Sequence, residues 1–187
     1  MNARAVVATA VALALAGPTV MAARFQYSGT GGSRAQTAPA AKAGPGSAAF
    51  VSQAAEGGKA EVSLATTAES KATSPNVKEL AQMIRRDHDQ ANAELSDLAG
   101  RKGIVVPAEI SKMHRATADR LTKLSGRAFD RAYATEMVKD HEADIKAFEA
   151  HQNDPDADVA AFVKKTLPAL RTHLEKAREA EQVVAGR

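Results

Sequence analysis

The stretch VKELAQMIRRDHDQANAELSDL, residues 77–98, decides the fold. Its apolar residues recur at alternating steps of four and three, which is the spacing of one buried face of an α-helix. One position in this stripe holds His88, where a leucine would pack better. The members of the stripe are Val77, Ala81, Ile84, His88, Ala91, Leu95 and Leu98. The segment therefore predicts an amphipathic helix with a histidine on its inner face.

The same period recurs before and after this segment, with capping and breaking residues in between. Ser47, Ser74 and Asp154 are expected N-caps, because short polar side chains accept hydrogen bonds from the first free amides of a helix. We find no convincing β-strand pattern. The predicted helices cover residues 48–72, 75 to 100–103, 107–125, 127–152 and 156–183.

The connections between these helices predict the topology. Short links join the first two helices and the last two helices, so each pair is antiparallel. The second and third long helices are separated by a longer link with a helix of its own. A 16-residue helix is roughly 24 Å long and can carry the chain back along the bundle. The predicted fold class is all-α, a ferritin-like four-helix bundle with a long helical crossover, over residues 47–184.

Residues 1–22, MNARAVVATAVALALAGPTVMA, have the pattern of a cleaved export signal. Arg4 lies near the start, an unbroken apolar run extends from Ala5 to Ala16, and a small-residue cleavage site precedes Ala23. The run is shorter than the roughly 20 residues of a membrane span. Residues 23–46 are rich in Gly, Ser, Ala and Pro and predict a disordered linker. We therefore expect an exported protein, periplasmic or associated with the envelope, without a transmembrane span after signal cleavage.

Composition excludes several classes of site. The chain has no cysteine, which excludes disulfides, thiolate metal sites and cysteine nucleophiles. The net charge of +3 comes from the N-terminal segment, because residues 47–186 carry 20 basic and 22 acidic side chains. No basic stripe with interleaved aromatic residues occurs, so we expect no nucleic-acid partner. No motif for acyl, phosphoryl or hydride transfer occurs either, and we expect neither an organic cofactor nor a catalytic residue.

Four ionisable side chains occupy inner positions, one on each long helix: Glu61, His88, His141 and His173. From the helical rise, Glu61, His88 and His141 lie roughly 18, 22 and 21 Å from the same end of the bundle. His173 lies at the edge of its stripe, about 7 Å too far along. The spacing predicts that the first three side chains converge, with His173 as a further candidate.

Neutral imidazole is a good ligand for zinc, iron, copper or nickel, and a carboxylate adds charge compensation. These four residues are the candidate metal ligands, and Asp87, Tyr133 and Asp140 are the candidates for orienting them. The alternative is a structural hydrogen-bonded cluster in which Glu61 pairs with His88, and Tyr133 or Asp140 with His141. Both interpretations stay open at the level of sequence. The two other histidines, at positions 114 and 151, are expected to be exposed.

Four stretches of the sequence resemble a bacterial family. They are FVSQAAEGGKAEVSLATTA, VKELAQMIRRDHDQANAEL, LSGRAFDRAYATEMVKDHEADIKAFE and FVKKTLPALRTHLEKA, within residues 48–180. Their motifs, in order, are DH, G-x-x-F-D-x-x-Y, DH and L-P-x-L-x-x-H. This order is similar to the domain-of-unknown-function 4142 family of exported proteins, whose members often carry the label outer-membrane protein. The resemblance implies a ferritin-like bundle with an export signal and no established activity.

Two functions fit these features. The first is a non-catalytic envelope protein with a stress or interaction role, docked to a surface or to a protein partner. The second is a transition-metal-binding or redox protein that uses the Glu/His cluster. The sequence contains no Glu-x-x-His, the motif that di-iron ferritin-like proteins place on two helices, which disfavours a ferroxidase. Converging donor atoms on the inner face would favour metal binding, and a long exposed apolar or basic face would favour docking.

Overall fold

The computed structural model describes residues 42–186, and within that range it contains five α-helices and no strand. The predicted all-α class is thus confirmed. The helices are α1 (Pro45–Lys71), α2 (Pro75–Lys102), α3 (Lys112–Thr122), α4 (Gly126–Ala150) and α5 (Ala157–Ala185). None of them combines the length and the apolar character needed to cross a membrane. The predicted signal and residues 23–41 of the predicted linker lie outside the described range.

α1, α2, α4 and α5 form a four-helix bundle. At one end, here called the turn end, the amide of Thr73 between α1 and α2 donates to Asp130 at the start of α4. At the other end, the loop end, Ser47 near the start of α1 donates to Asp154 between α4 and α5 at 2.6 Å. α2 and α4 therefore run in one direction and α1 and α5 in the other.

The chain returns from the loop end to the turn end through residues 103–125, which contain α3. Lys59, midway along α1, donates to the carbonyl of Pro107 at 2.7 Å. Lys71, at the end of α1, donates to the carbonyl of Thr122 at 2.5 Å. α3 lies against α1 and α4. This is the helical crossover predicted from the length of the link, and the predicted ferritin-like topology is confirmed.

The predicted caps of α1 and α5 are wrong. α1 begins at Pro45, two residues inside the predicted linker, because Ser47 bonds to Asp154 instead of capping a helix. Asp154 does not cap α5, since its carboxylate accepts from Ser47 and from the amide of Asp156. Asp156 is the cap, and it accepts from the first amides of the helix at 3.0 and 3.3 Å.

α2 and α3 differ from prediction in smaller ways. Ser74 occupies the N-cap position of α2 as predicted, but its hydroxyl makes no capping bond. α3 begins at Lys112 rather than Pro107, because Ser111 is the residue that caps it, accepting from the amide of His114 at 3.2 Å. The non-helical residues before it cover more distance than a helix would, since extended chain advances about 3.3 Å per residue against 1.5 Å.

The bundle interior divides into two apolar clusters. The turn-end cluster includes Leu64, Ile84, Tyr133, Met137 and Ala177. The loop-end cluster includes Phe50, Leu95, Phe148, Val163 and Leu170. Between the two clusters, each long helix contributes one buried ionisable side chain.

Candidate metal centre

The polar layer of Glu61, His88, His141 and His173 crosses the bundle between the two apolar clusters. Glu61 is 4% exposed, His88 7%, His141 0% and His173 1%. One nitrogen from each histidine lies within 4.8 Å of the others. His173 thus belongs to the layer, although its height along α5 alone placed it further away. Side chains tilt toward the N-terminus of their helix, which in antiparallel α4 and α5 brings His141 and His173 together.

His141 and His173 face each other through two bare nitrogens. His141 Nδ1 lies 2.9 Å from the carbonyl oxygen of Met137, an acceptor, so Nδ1 is assigned the proton. His173 Nε2 lies 3.0 Å from Asp87 Oδ2, which assigns the proton to Nε2. The remaining nitrogens, His141 Nε2 and His173 Nδ1, are 3.2 Å apart. In the neutral pair two lone pairs meet at that distance, and a proton or another cation between them relieves the repulsion.

Glu61 and His88 are both buried, but they do not form a hydrogen bond with each other. Glu61 Oε2 is 3.2 Å from His88 Nε2, and Glu61 Oε1 is 3.4 Å from His141 Nδ1. Neither Glu61 oxygen nor His88 Nε2 makes a hydrogen bond of acceptable geometry with any residue in the described range. Each unsatisfied buried polar atom costs about 1–3 kcal/mol, and a charged one costs more. Three such atoms in one place are the arrangement expected around a bound cation.

Burial controls protonation in this layer. Burial, and after it the electrostatic effect of His173, lowers the pKa of both His88 and His141 to about 3. Burial also lowers the pKa of His173, although Asp87 acts to raise it. For Glu61, burial and then the charges of Asp144 and Asp140 raise the pKa well above its usual range. Burial in the layer disfavours protonated imidazoles and an uncompensated charge on the carboxylate. A metal cation meets both conditions, because it binds neutral imidazoles and balances the carboxylate charge.

The three histidines form the group that could hold one metal ion. Their donor nitrogens lie within 4.8 Å of one another, and the pair His141 Nε2–His173 Nδ1 is 3.2 Å apart. Donors bound at about 2.0–2.1 Å in a tetrahedral arrangement lie about 3.4 Å from each other. Glu61 Oε2 lies beside this group, 3.2 Å from His88 Nε2, and Asp87 bonds to the outer nitrogen of His173, as carboxylates do for metal-binding imidazoles. The chemistry of the three imidazoles fits a transition-metal ion, with the Glu61 carboxylate close enough to offset its charge.

A small cavity of about 30 Å³ adjoins the layer on its loop-end side, and Glu61, His88 and Asp144 are among its lining residues. α1 and α2 approach closely beside it, because a Cβ at Gly58 would lie 2.2 Å from Asn92 Oδ1. Gly58 precedes Glu61 by one turn and Asn92 follows His88 by one turn. The small residue at position 58 thus brings the two helices that carry Glu61 and His88 together.

The residues predicted to orient the histidines have different roles. Asp87 bonds to His173 on the facing helix and not to its neighbour His88. The alternative in which Tyr133 or Asp140 pairs with His141 is wrong, because Nδ1 of His141 bonds to the Met137 carbonyl and its Nε2 faces His173. Tyr133 is fully buried and its hydroxyl has no hydrogen-bond partner in residues 42–186.

The sequence analysis missed part of the site's surroundings. Asp144 carries a signal that could have found it, since it lies three residues after His141 and so one turn along the same face of α4. His114 and His151 are both half-buried, so the expectation that they are exposed is wrong. His114 Nδ1 lies 2.7 Å from Glu56 Oε1. His151 bonds to Asp154 and stacks on Phe50, which explains its burial.

Comparison with solved structures supports the fold. A DUF305 fragment from Deinococcus radiodurans superposes with a TM-score of 0.67 at 18% identity, covering 78% of this chain and 99% of that one. CopM in the Cu(II)-bound form has a TM-score of 0.62 at 18% identity, covering 73% and 95%. CopM in the Ag-bound form has a TM-score of 0.60 with the same identity and coverage. At this identity the likeness shows a shared helical fold.

The search for a relative by sequence gives two results. No curated protein matches this chain. Residues 32–180 match the family described as Domain of unknown function (DUF4142). This span includes all four stretches on which the family resemblance rested, and with them the four residues of the polar layer. The chain belongs to the DUF4142 family.

Proposed function

We propose that this protein is an exported metal-binding bundle that holds one copper ion in the polar layer. Its role is to bind and buffer the metal, with no catalytic residue of its own. The observation that carries the proposal is the pair of bare nitrogens, His141 Nε2 and His173 Nδ1, held 3.2 Å apart in the bundle interior. Their outward nitrogens are occupied by the Met137 carbonyl and by Asp87, which fixes both lone pairs toward each other.

The donor set supports copper among the transition metals. Imidazole suits copper, zinc, iron and nickel, and the affinity of a given site for divalent ions is highest for copper. The likeness to CopM in its copper-bound forms agrees with this choice. Zinc is the next candidate, because three imidazoles and a carboxylate also match its usual ligands.

Each residue has a distinct task in this proposal. His88, His141 and His173 supply neutral nitrogen donors, and burial keeps them unprotonated. Glu61 supplies negative charge that offsets the charge of the cation. Asp87 fixes the ring orientation of His173. When bound, copper supplies a centre that can change its oxidation state.

Export is the second part of the proposal. The signal pattern in residues 1–22 supports it. Cell fractionation tests it: the processed protein is expected in the periplasmic or envelope fraction. Recovery of the unprocessed chain in the cytoplasm would contradict export.

The test is metal content by elemental mass spectrometry on protein purified without an affinity tag and loaded with Cu(II). We expect about one copper per chain, and its loss in His88→Leu, His141→Leu and Glu61→Ala. The chain offers matched controls, because two of its five histidines lie outside the layer. His114→Gln and His151→Gln should keep the metal. Equal loss in the controls would point to nonspecific surface binding and would overturn the proposal.

The alternative is the structural cluster of a docking protein without metal. Among residues 42–186, the large apolar side chains that are exposed are Val105 at 84% and Met113 at 68%, both near the start of the crossover. They are a possible contact for an envelope partner but not a long apolar face. Failure of Cu(II), Zn(II), Fe(II) and Ni(II) alike to bind or to stabilise the protein would favour this alternative.

A further inference from the structure

The crossover covers a polar seam between α1 and α4. His114 on α3 lies 2.7 Å from Glu56 on α1, and the same carboxylate accepts from the amide of Ser111 at 2.5 Å. Across the seam, α4 contributes Asp140 and Asp144, both half-buried. Glu56 and His114 retain side-chain exposures of 18% and 21%. The seam therefore begins at solvent and continues into the bundle.

The acidic groups of the seam form a continuous series that ends at Glu61. Asp140 and Asp144 are one turn apart on α4, and Asp144 and Glu61 line the same cavity, so the three carboxyl groups follow one another toward the layer. Burial is the main cause of the raised pKa of Asp140 and Asp144, which both lie at about 6. Glu136 also acts to raise the pKa of Asp140, whereas its cationic neighbours, His114 among them, act to lower it.

The inner end of the seam opens on atoms that have no partner in the described chain. Asp144 lines the cavity of about 30 Å³ together with Glu61 and His88. Glu61 and His88 are 4% and 7% exposed, and both Glu61 oxygens and His88 Nε2 are unpaired. Asp144 thus lines the cavity and is itself only half-buried.

The other approaches to the cavity are less suited to a cation. Between α1 and α2, the side chain of Asn92 fills the space above Gly58. Between α2 and α5 lies a groove of about 290 Å³ that includes Thr166, which also lines the cavity.

Both carboxylates of the groove between α2 and α5 are already paired with a cation. Lys165 Nζ lies 2.6 Å from Glu94. Arg86 Nε lies 2.9 Å from Asp87, which also bonds to His173. The seam is the approach on which two carboxylates lie in line with the buried Glu61.

We propose that a divalent metal cation reaches the polar layer through this seam, passing from Asp140 to Asp144 and then to Glu61. The inference rests on the proposed metal-binding function. Carboxylates along the way replace part of the ion's hydration shell before it meets the imidazoles, which lowers the barrier to burying a charge. The arginine and the lysine near Asp140 are both paired with Glu136, so Asp140 and Asp144 have no ion-pair partner among the described residues. A negative potential of this kind raises the association rate of a cation by about 10- to 1,000-fold.

The test is the rate of Cu(II) loading by stopped flow, followed through quenching of tyrosine fluorescence, since the chain has two tyrosines and no tryptophan. We expect Asp140→Asn to slow loading by about tenfold without changing the copper content at saturation. Asp144→Asn should slow it at least as much. The matched control is Glu94→Gln, which removes the same charge on the α2–α5 side and should leave the rate unchanged.

Measuring how fast copper is released to excess chelator distinguishes two roles of Asp140. It could lie on the path of the ion, or it could only stabilise the bound ion electrostatically. A residue on the path lowers the barrier in both directions, so Asp140→Asn should slow release as well as loading. If Asp140 merely stabilises the bound ion, its variant will release copper faster and the inference fails.

A larger slowing in Glu94→Gln than in Asp140→Asn would place the route between α2 and α5. Wild-type protein that binds no metal would overturn the proposed function and this inference together, whereas normal metal content with unchanged rates overturns this inference alone.

Discussion

Two buried carboxylates of this bundle have opposite surroundings. Asp130, 2% exposed at the start of α4, accepts from the amides of Thr73 and Ser74 at 3.0 and 2.9 Å and from the Thr73 hydroxyl at 2.5 Å. Glu61, 4% exposed in the middle of α1, accepts no hydrogen bond from the described residues. The degree of burial therefore does not distinguish Asp130 from Glu61. They differ in the hydrogen-bond donors that the chain supplies to each carboxylate.

This difference shows how a structural carboxylate can be recognised: the chain itself supplies its hydrogen-bond donors. Asp130 accepts from the amides of Thr73 and Ser74, just before the first residue of α2, and it ties the α1–α2 turn to α4. Its partners are present whatever the protein binds. The neighbours of Glu61 are the imidazole nitrogens of His88 and His141 at 3.2 and 3.4 Å, and neither forms a hydrogen bond with it.

The largest expected effect is stabilisation by the metal. Free Cu(II) at about 1,000 times its dissociation constant should raise the free energy of unfolding by about 4 kcal/mol, because the unfolded chain does not assemble the site. Urea denaturation with and without Cu(II) measures it. Asp130→Ala should show the same increment, since residue 130 lies about 16 Å along α4 from His141. Loss of the increment in that variant would show that the two carboxylates are coupled.

The second effect is loss of the Asp130 bonds. Asp130→Ala leaves two backbone amides and one hydroxyl without their acceptor, and it should lower the free energy of unfolding by about 3 kcal/mol. The same substitution at Asp119, which is exposed on α3, is the control and should change it by less than about 0.5 kcal/mol. Equal effects at both positions would mean that water replaces the protein donors.

The third effect is on the close contact beside Glu61. Gly58→Ala puts a Cβ 2.2 Å from Asn92 Oδ1, so the Asn92 side chain must rotate away, and the protein should be destabilised by about 1 kcal/mol. It should also weaken Cu(II) binding, because Asn92 lies in the wall of the cavity beside Glu61 and His88. Gly57→Ala is the control: nothing lies within 4 Å of its Cβ, so alanine's higher helix propensity should stabilise the protein by about 0.5–1 kcal/mol. Thermal unfolding and copper titration of both variants measure these effects.

The contrast also explains what the sequence could predict. Helical period and link length predicted the bundle, the crossover and the inward stripe that carries His88, because these follow from local spacing alone. The convergence of Glu61, His88 and His141 followed from counting the helical rise. The link from Asp87 to His173 could not be predicted, because it depends on the rotation of α5 against α2. The role of Asp130 could not be predicted either. It bonds to amides between α1 and α2, which are distant in sequence, and such a contact produces no local sequence pattern.

The smallest expected effect isolates the charge of Glu61 in the metal-free protein. Its pKa is raised by burial and then by Asp144 and Asp140, so the folded protein keeps a proton that the unfolded chain releases above its ordinary pKa of 4.5. Stability from this group is therefore lost as the pH rises above 4.5. Glu61→Gln carries no such proton, and it should match the wild type below pH 4.5 and exceed it at higher pH.

Because glutamine still leaves a buried polar group unpaired, the gain at pH 7–8 should be on the order of 1 kcal/mol. Urea denaturation of metal-free protein at several pH values between 4 and 8 measures the difference. Asp130→Asn, in the opposite surroundings, should be less stable than the wild type across the same range, since it weakens bonds that are already made. A Glu61→Gln variant less stable than the wild type at pH 8 would mean that the Glu61 carboxylate is satisfied without metal, and the layer would then be structural.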